Sequence, residues 1–124
     1  MYHKKLEKDI RCPLEYGLGI FGGKWKSRII CVLAAKGILR YSELRKEMAN
    51  ITDAVLATTP KELMEDGVIV RQSYDEIPPR VEYSLTKKGK SVVPILQSIC
   101  QWSGVFYKEE TDTPLPQCQR CDYR

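Results

Sequence analysis

The chain of 124 residues holds five cysteines, at positions 12, 31, 100, 118 and 121, and a single histidine, His3. Thiols are therefore its most reactive groups, while the usual general base of hydrolytic chemistry occurs only near the start of the chain. Cys12 precedes Pro13, Leu14, Glu15 and Tyr16, where the proline suits the first position of a helix and Glu15 complements its positive end. That spacing puts the Cys12 sulfur at the helix N-cap, beside unpaired backbone amides and Arg11. Such a setting makes a thiol reactive toward oxidants, quinones or aldehydes. Cys118 and Cys121 have metal-ligand spacing, but the pair supplies only two of the four ligands that a structural zinc wants. Three readings are open for them: zinc completed by Cys12 or Cys100, a reversible disulfide, or inert thiols. A thioredoxin-type site would need a strand-to-helix junction in a βαβ context, which this proline-flanked terminus does not offer. Cys31 reads as a small buried residue of a helix. No catalytic apparatus, cofactor or metal site is expected, and the chain is not expected to be an enzyme.

Length allows one modest core and little more. The expected organisation is a flexible arm at 1–10, one domain at 11–107 and a loosely packed tail at 108–124. No apolar run approaches the roughly eighteen residues of a membrane span, and the N-terminus is polar rather than signal-like, so a soluble cytoplasmic protein with no membrane partner is expected. In that compartment five cysteines argue against a structural disulfide framework. Net charge is +4, and residues 24–45 alone contain six basic side chains and one acid, Glu43, a net of +5. Two readings fit that stretch: a surface for a phosphate backbone, with salt-sensitive binding, or solvated helix faces.

The elements that must position these groups follow from periodicity and punctuation. The first helix breaks at residues 21–24; a second runs over 25–36 with Trp25, Ile29, Val32 and Leu33 on one face and Gly37 as its cap. Ser42 reads as the cap of a short helix ending near Met48. Thr52 caps another that runs to Asp66 with Val55, Leu56, Leu63 and Met64 inward and Gly67 closing it. Residues 68–74 and the alternating Val81, Tyr83 and Leu85 form a hairpin around a proline-stiffened turn. Thr86 caps a last helix through about Tyr107, with Val92, Leu96, Ile99 and Phe106 on one stripe that Ile95 and Trp102 extend. Such a stripe exceeds what a domain this small can cover, so Ile95, Ile99, Trp102 and Phe106 are expected to pack against a second copy about a two-fold axis. The fold class is thus α+β: a winged helix-turn-helix with extra N- and C-terminal helices forming a dimer.

Six segments carry a resemblance: 12–16, Gly22 to Lys26, Tyr41 to Arg45, Leu63 to Gly67, Pro78 to Thr86, and Gly89. In this order and at these separations the chain resembles the HxlR-type winged-helix regulators, relatives of the MarR group, over roughly residues 10–104. The resemblance implies a homodimeric regulator of bacterial transcription that binds an inverted-repeat operator in double-stranded DNA. It also implies, since several members use a cysteine at the Cys12 position this way, a redox or electrophile sensor, with a small electrophile or oxidant as effector. The sequence departs from the family at Pro60, where a leucine-like residue is usual; proline removes a hydrogen bond to the Leu56 carbonyl and is expected to bend or loosen the helix.

In such an arrangement the second helix of the pair enters the major groove. The residues expected to face DNA are Thr52, Asp53, Ala54, Ala57, Thr58, Thr59 and Lys61, with Ser42 and Arg45 on the preceding helix placed for phosphates. Asp53 is either a first-turn carboxylate favoured by the dipole or an acceptor from a cytosine amino group. At the wing, Arg80 either reaches a minor groove or phosphate, or pairs with Glu76 or Glu82. Trp25 and Tyr83 read as core or interface residues rather than stacking platforms for single strands. Two other classes of function compete: a winged helix repurposed for protein contact, which would show no duplex preference, and a thiol redox enzyme, which would turn over a dithiol.

Overall fold

Cys12 is the N-cap of α1 (Pro13–Phe21), which begins with proline at the position where a missing N–H costs nothing. The structure, a computed structural model, describes residues 10–110, with side chains through Tyr107; all of the expected arm but Ile10 and all but the start of the expected tail, with Cys118 and Cys121, lie outside the described residues. After α1 come α2 (Lys24–Lys36), β1 (Ile38–Arg40), α3 (Tyr41–Met48), α4 (Asp53–Glu65), β2 (Ile69–Tyr74), β3 (Arg80–Leu85) and α5 (Lys87–Glu110). Gly37 and Gly67 end α2 and α4 with φ of 87° and 73°, a left-handed turn that side chains with a Cβ resist. No helix among the described residues is long and apolar enough to cross a membrane.

The hairpin β2–β3 is joined by β1 into a three-stranded antiparallel sheet of order β1-β3-β2, with Tyr83 paired to Leu39 on one side and Arg71 on the other. The β1 strand was not anticipated, because three residues are too few to display an alternating pattern. Its presence moves the start of α3 as well: the N-cap is Arg40 rather than Ser42. The Arg40 N–H donates to Glu43 Oε1 at 2.8 Å, so the acid three residues on does the capping that the Ser42 hydroxyl was expected to do.

The core lies where α2 crosses α3, α4 and the sheet. Ile29, Ile30 and Leu33 of α2, Leu44 and Met48 of α3, Leu56 and Leu63 of α4, and Val68 are all fully buried. Each such side chain contributes about 1.5–3 kcal/mol over its exposed state. Because α2 spends its buried face on isoleucine and leucine, Cys31 falls on the outer side and is exposed, not buried as expected. Tyr83 is buried in the core, as expected.

Thr52 caps α4 as the sequence implies, its Oγ1 accepting from the Val55 N–H at 3.2 Å. Thr52→Ala is expected to cost about 1 kcal/mol of stability, read as a lower urea midpoint with an unchanged slope. The helix continues through Pro60, whose ring is buried on the core face with Leu56, Thr59 and Leu63. Apolar burial of the ring offsets the lost hydrogen bond, and of the two expectations, a bend or a loosened helix, the loosened one does not occur: the helix is continuous from Asp53 to Glu65.

Thr86 caps α5: its Oγ1 accepts from the Gly89 N–H at 3.1 Å, and its own N–H donates to the Val68 carbonyl at 3.0 Å. Gly89 is packed so closely that a Cβ there would lie 2.1 Å from that same carbonyl oxygen. Val92 and Leu96 enter the core, whereas Ile95, Ile99, Trp102 and Phe106 are exposed, Trp102 by 69%. Leu14 and Leu18 of α1 are exposed too.

Candidate nucleic-acid interface

The α3 and α4 helices are joined by a turn through Ala49 at φ 52°. Along α4, Ala54, Ala57, Thr58 and Lys61 recur at three- and four-residue spacing, so they share one face, and all are exposed. Thr52 and Asp53 extend the row at its N-terminal end, also exposed. Thr59, expected among them, is 5% exposed and turned into the core. It is three residues from Leu56 and four from Leu63, the spacing of the buried stripe, so helical geometry removes it from the outer face. The Thr58 hydroxyl donates to the Ala54 carbonyl at 3.2 Å, which commits its proton within the helix and leaves its lone pairs and methyl outward. Lys61 has no acidic partner among the described residues.

Arg45 of α3 is ion-paired with Asp53 of α4 across the turn, a pairing neither sequence reading of Asp53 contained. The hydrogen bond to Asp53, and then its charge, lift the Arg45 guanidinium above its already high ordinary value. Both side chains are well exposed, so solvent screens the pair and it adds little to stability. Its effect is on the surface: the charge of the Arg45 guanidinium is offset by the carboxylate beside it. Asp53→Asn frees Arg45 and is expected to tighten binding to duplex DNA about three- to tenfold and to steepen the salt dependence by about one counterion, measured by titration at several salt concentrations. Ser42 is exposed in the first turn of α3.

The wing is less available than its composition suggests. Arg80 Nη2 is 2.9 Å from Glu76 Oε2, its Nε is 3.7 Å from Glu82 Oε2, and its guanidinium stacks 3.9 Å above the Tyr74 ring. Of the two sequence readings of Arg80, the ion-paired one describes this arrangement. The basic stretch is similarly tempered: Lys26 lies 4.0 Å from Glu62 and Lys36 3.9 Å from Glu47, and Lys24 and Arg28 flank the half-buried Trp25 ring.

Between α4 and the wing runs a cleft of about 450 Å³ lined by Tyr41, Ala57, Lys61, Met64, Arg71 and Val81 among others. Arg71, exposed on β2 with its Nη1 donating to Ser73 Oγ at 3.1 Å, was missed by the sequence reading. Its signal was a lone basic residue facing outward in the first wing strand, which alternation alone places on one face or the other.

Cys12 is exposed, and its sulfur makes no capping hydrogen bond. Its carbonyl accepts from the Glu15 N–H at 3.0 Å, and Glu15 Oε1 accepts from the Arg11 N–H at 3.0 Å. The thiol is thus accessible to a reagent from solvent while the backbone around it is already tied down.

The model of the HxlR-like helix-turn-helix family matches residues 20–111. An uncharacterized HTH-type transcriptional regulator of Methanothermobacter thermautotrophicus is 46% identical over 100 residues, covering 81% of this chain and 76% of its own. Among solved structures, the HTH-type transcriptional regulator ytcD superposes with a TM-score of 0.74 at 39% identity, covering 79% of this chain and 99% of the other. The redox regulator HypR in its oxidized form gives 0.69 at 34% identity, covering 84% and 100%. With the winged helix-turn-helix described above and these relatives, the chain belongs to the HxlR-like helix-turn-helix family and is a transcriptional regulator of the HxlR and MarR type.

Proposed function

We propose that this regulator works in the cytoplasm as a homodimer that binds an inverted-repeat operator in double-stranded DNA, with α4 of each copy in a major groove. The observation that carries the reading is the exposed row Ala54, Ala57, Thr58 and Lys61 behind the Thr52 cap. Alanines let the backbone approach base edges, Thr58 offers an acceptor and a methyl group, and Lys61 is matched to phosphate. Arg71 and Tyr41 line the same side. The apolar residues that α5 leaves exposed supply a surface for the second copy, which would set two α4 helices at half-site spacing.

The finer part of the proposal is control by Cys12. Its exposure at a helix N-cap, and the likeness to HypR, a redox regulator solved in oxidized and reduced forms, support a sensor that responds to an oxidant or small electrophile. Joining Cys12 to a cysteine of the second copy, such as Cys100, would form one S–S bond and pass two protons and two electrons to a quinone or peroxide, which is reduced. The test is a binding assay with genomic fragments at two salt concentrations, with and without such an oxidant. Salt-sensitive retention of a palindromic fragment is expected, with affinity changed by the oxidant and unchanged by it in Cys12→Ser. Protein that ignores every duplex at low ionic strength refutes the operator reading; an oxidant response that survives in Cys12→Ser refutes the sensor.

A further inference from the structure

Two lysines on different elements each join α1 to the same turn of α4. Lys26 of α2 donates from Nζ to the Gly19 carbonyl of α1 at 3.0 Å, and the same nitrogen stands 4.0 Å from Glu62 Oε2 of α4. Lys88 of α5 donates from Nζ to the Tyr16 hydroxyl of α1 at 2.9 Å and to the Asp66 carbonyl, which closes α4, at 2.9 Å. An ammonium carries three protons, so one nitrogen can serve both partners at once. Glu62 and Asp66 are four residues apart, one above the other in the last turn of α4. In that turn the Glu62, Leu63 and Met64 carbonyls accept from the N–H groups of Asp66, Val68 and Gly67, the helix dipole has its negative end there, and the Asp66 carboxylate adds charge with Oδ2 buried and without a hydrogen-bond partner among the described residues. Cations there are favoured by the helix itself, not only by their side-chain partners.

Tyr16 lies one turn beyond Cys12, and its N–H is 3.4 Å from the Cys12 carbonyl. The Cys12 backbone, the α1 turn that carries Tyr16, the Lys88 ammonium and the end of α4 therefore form one connected series, with the Cys12 sulfur at its outer end. We infer that Lys26 and Lys88 are positioning residues that fasten α1 to the C-terminal turn of the DNA-reading helix, so that a displacement of α1 by chemistry at Cys12 is delivered to α4. The inference deepens the proposed function and rests on it for the nature of the signal. The fastening itself does not depend on Cys12 being the sensor.

The test uses full-length protein in which Cys31, Cys100, Cys118 and Cys121 are serine, with N-ethylmaleimide as the probe of Cys12. The thiol adds across the maleimide double bond, forming one S–C bond and placing its proton on the neighbouring carbon, with no oxidant required. Affinity for a genomic fragment retained in the binding assay is measured before and after alkylation, in the parent and in Tyr16→Phe, Lys88→Met and Lys26→Met. Alkylation is expected to change parent affinity about tenfold, and the factor to shrink below about twofold in the lysine variants while unmodified affinity stays within about twofold. Tyr16→Phe removes only the hydroxyl and is expected to lie between.

Amide exchange of the free protein supplies the arm independent of Cys12 and of DNA. In Lys88→Met, amides of α1 and of the last turn of α4 are expected to exchange faster together, with the α2 core unchanged. Since Lys26 is largely buried, Lys88→Met and Tyr16→Phe keep the test open if Lys26→Met fails to fold. A parent-sized alkylation response in the variants, or unchanged exchange in both α1 and α4, overturns the inference. If the parent ignores N-ethylmaleimide but exchange in α1 and α4 rises jointly, the fastening stands and the sensor reading of Cys12 falls.

Discussion

Ala57→Glu is expected to lower affinity for the operator about a hundredfold, or about 2.7 kcal/mol, with no comparable loss of stability. Ala57 is exposed in the middle of the outward row of α4 and also lines the cleft toward the wing. Glutamate there adds bulk at the point of closest backbone approach and turns a carboxylate toward the phosphates that Lys61 and Arg71 would meet. Like charges brought together in a complex cost several kcal/mol, whereas the change in helix propensity from alanine to glutamate is only about half a kcal/mol at most. Titration of an operator fragment, beside a thermal melt, separates the two effects. Retained affinity in a folded Ala57→Glu protein would show that α4 does not enter the groove by this face.

Trp102→Asp is expected to convert a dimer into single chains at micromolar concentration, seen as a halved mass by sedimentation. Trp102 is 69% exposed in the chain by itself, and its ring packs against Phe106 one turn on, with centroids 5.4 Å apart. It therefore holds little of the individual fold, and any loss belongs to the association. Large aromatics central to an interface cost about 2–4 kcal/mol or more when removed, and a buried carboxylate adds to that. Ile99→Asp, also on the exposed stripe, is expected to act in the same direction. Both variants are expected to lose the palindrome while keeping the far-ultraviolet signal of folded helices. A protein that sediments as single chains before any substitution would remove the dimer from the proposal.

The parts of the fold that were legible in the sequence are those governed by local rules. The Thr52 cap, Gly37 and Gly67 at helix ends, Pro13 at a helix start and the alternation of Val81, Tyr83 and Leu85 each depend on residues within a few positions of one another. What was not legible depends on partners brought together by the fold. β1 exists because β3 pairs with it, and at three residues it has no pattern of its own. Thr59 is a polar surface residue by type, but its phase in α4 sets it inward. Arg45 and Asp53 are opposite charges eight positions apart, readable as a pair only once the turn between their helices is known. Lys88 and Tyr16 are 72 positions apart, and no local signal joins them. Proline at position 60 departs in the opposite direction: its backbone cost is local and readable, whereas the burial its ring gains depends on the fold.

Gly89 decides how closely the root of α5 seats against Val68 and Leu85. A methyl group at that position would collide with the Val68 carbonyl, so Gly89→Ala must lift the root of α5 off the sheet or break the Thr86 cap. In the proposed pair, α5 is the shaft on which both reading heads are mounted, and a few degrees of tilt at its root grow into ångströms at the far tips. In that pair the absent side chain would act as a gauge, setting the base-pair interval between half-sites without touching a single nucleotide.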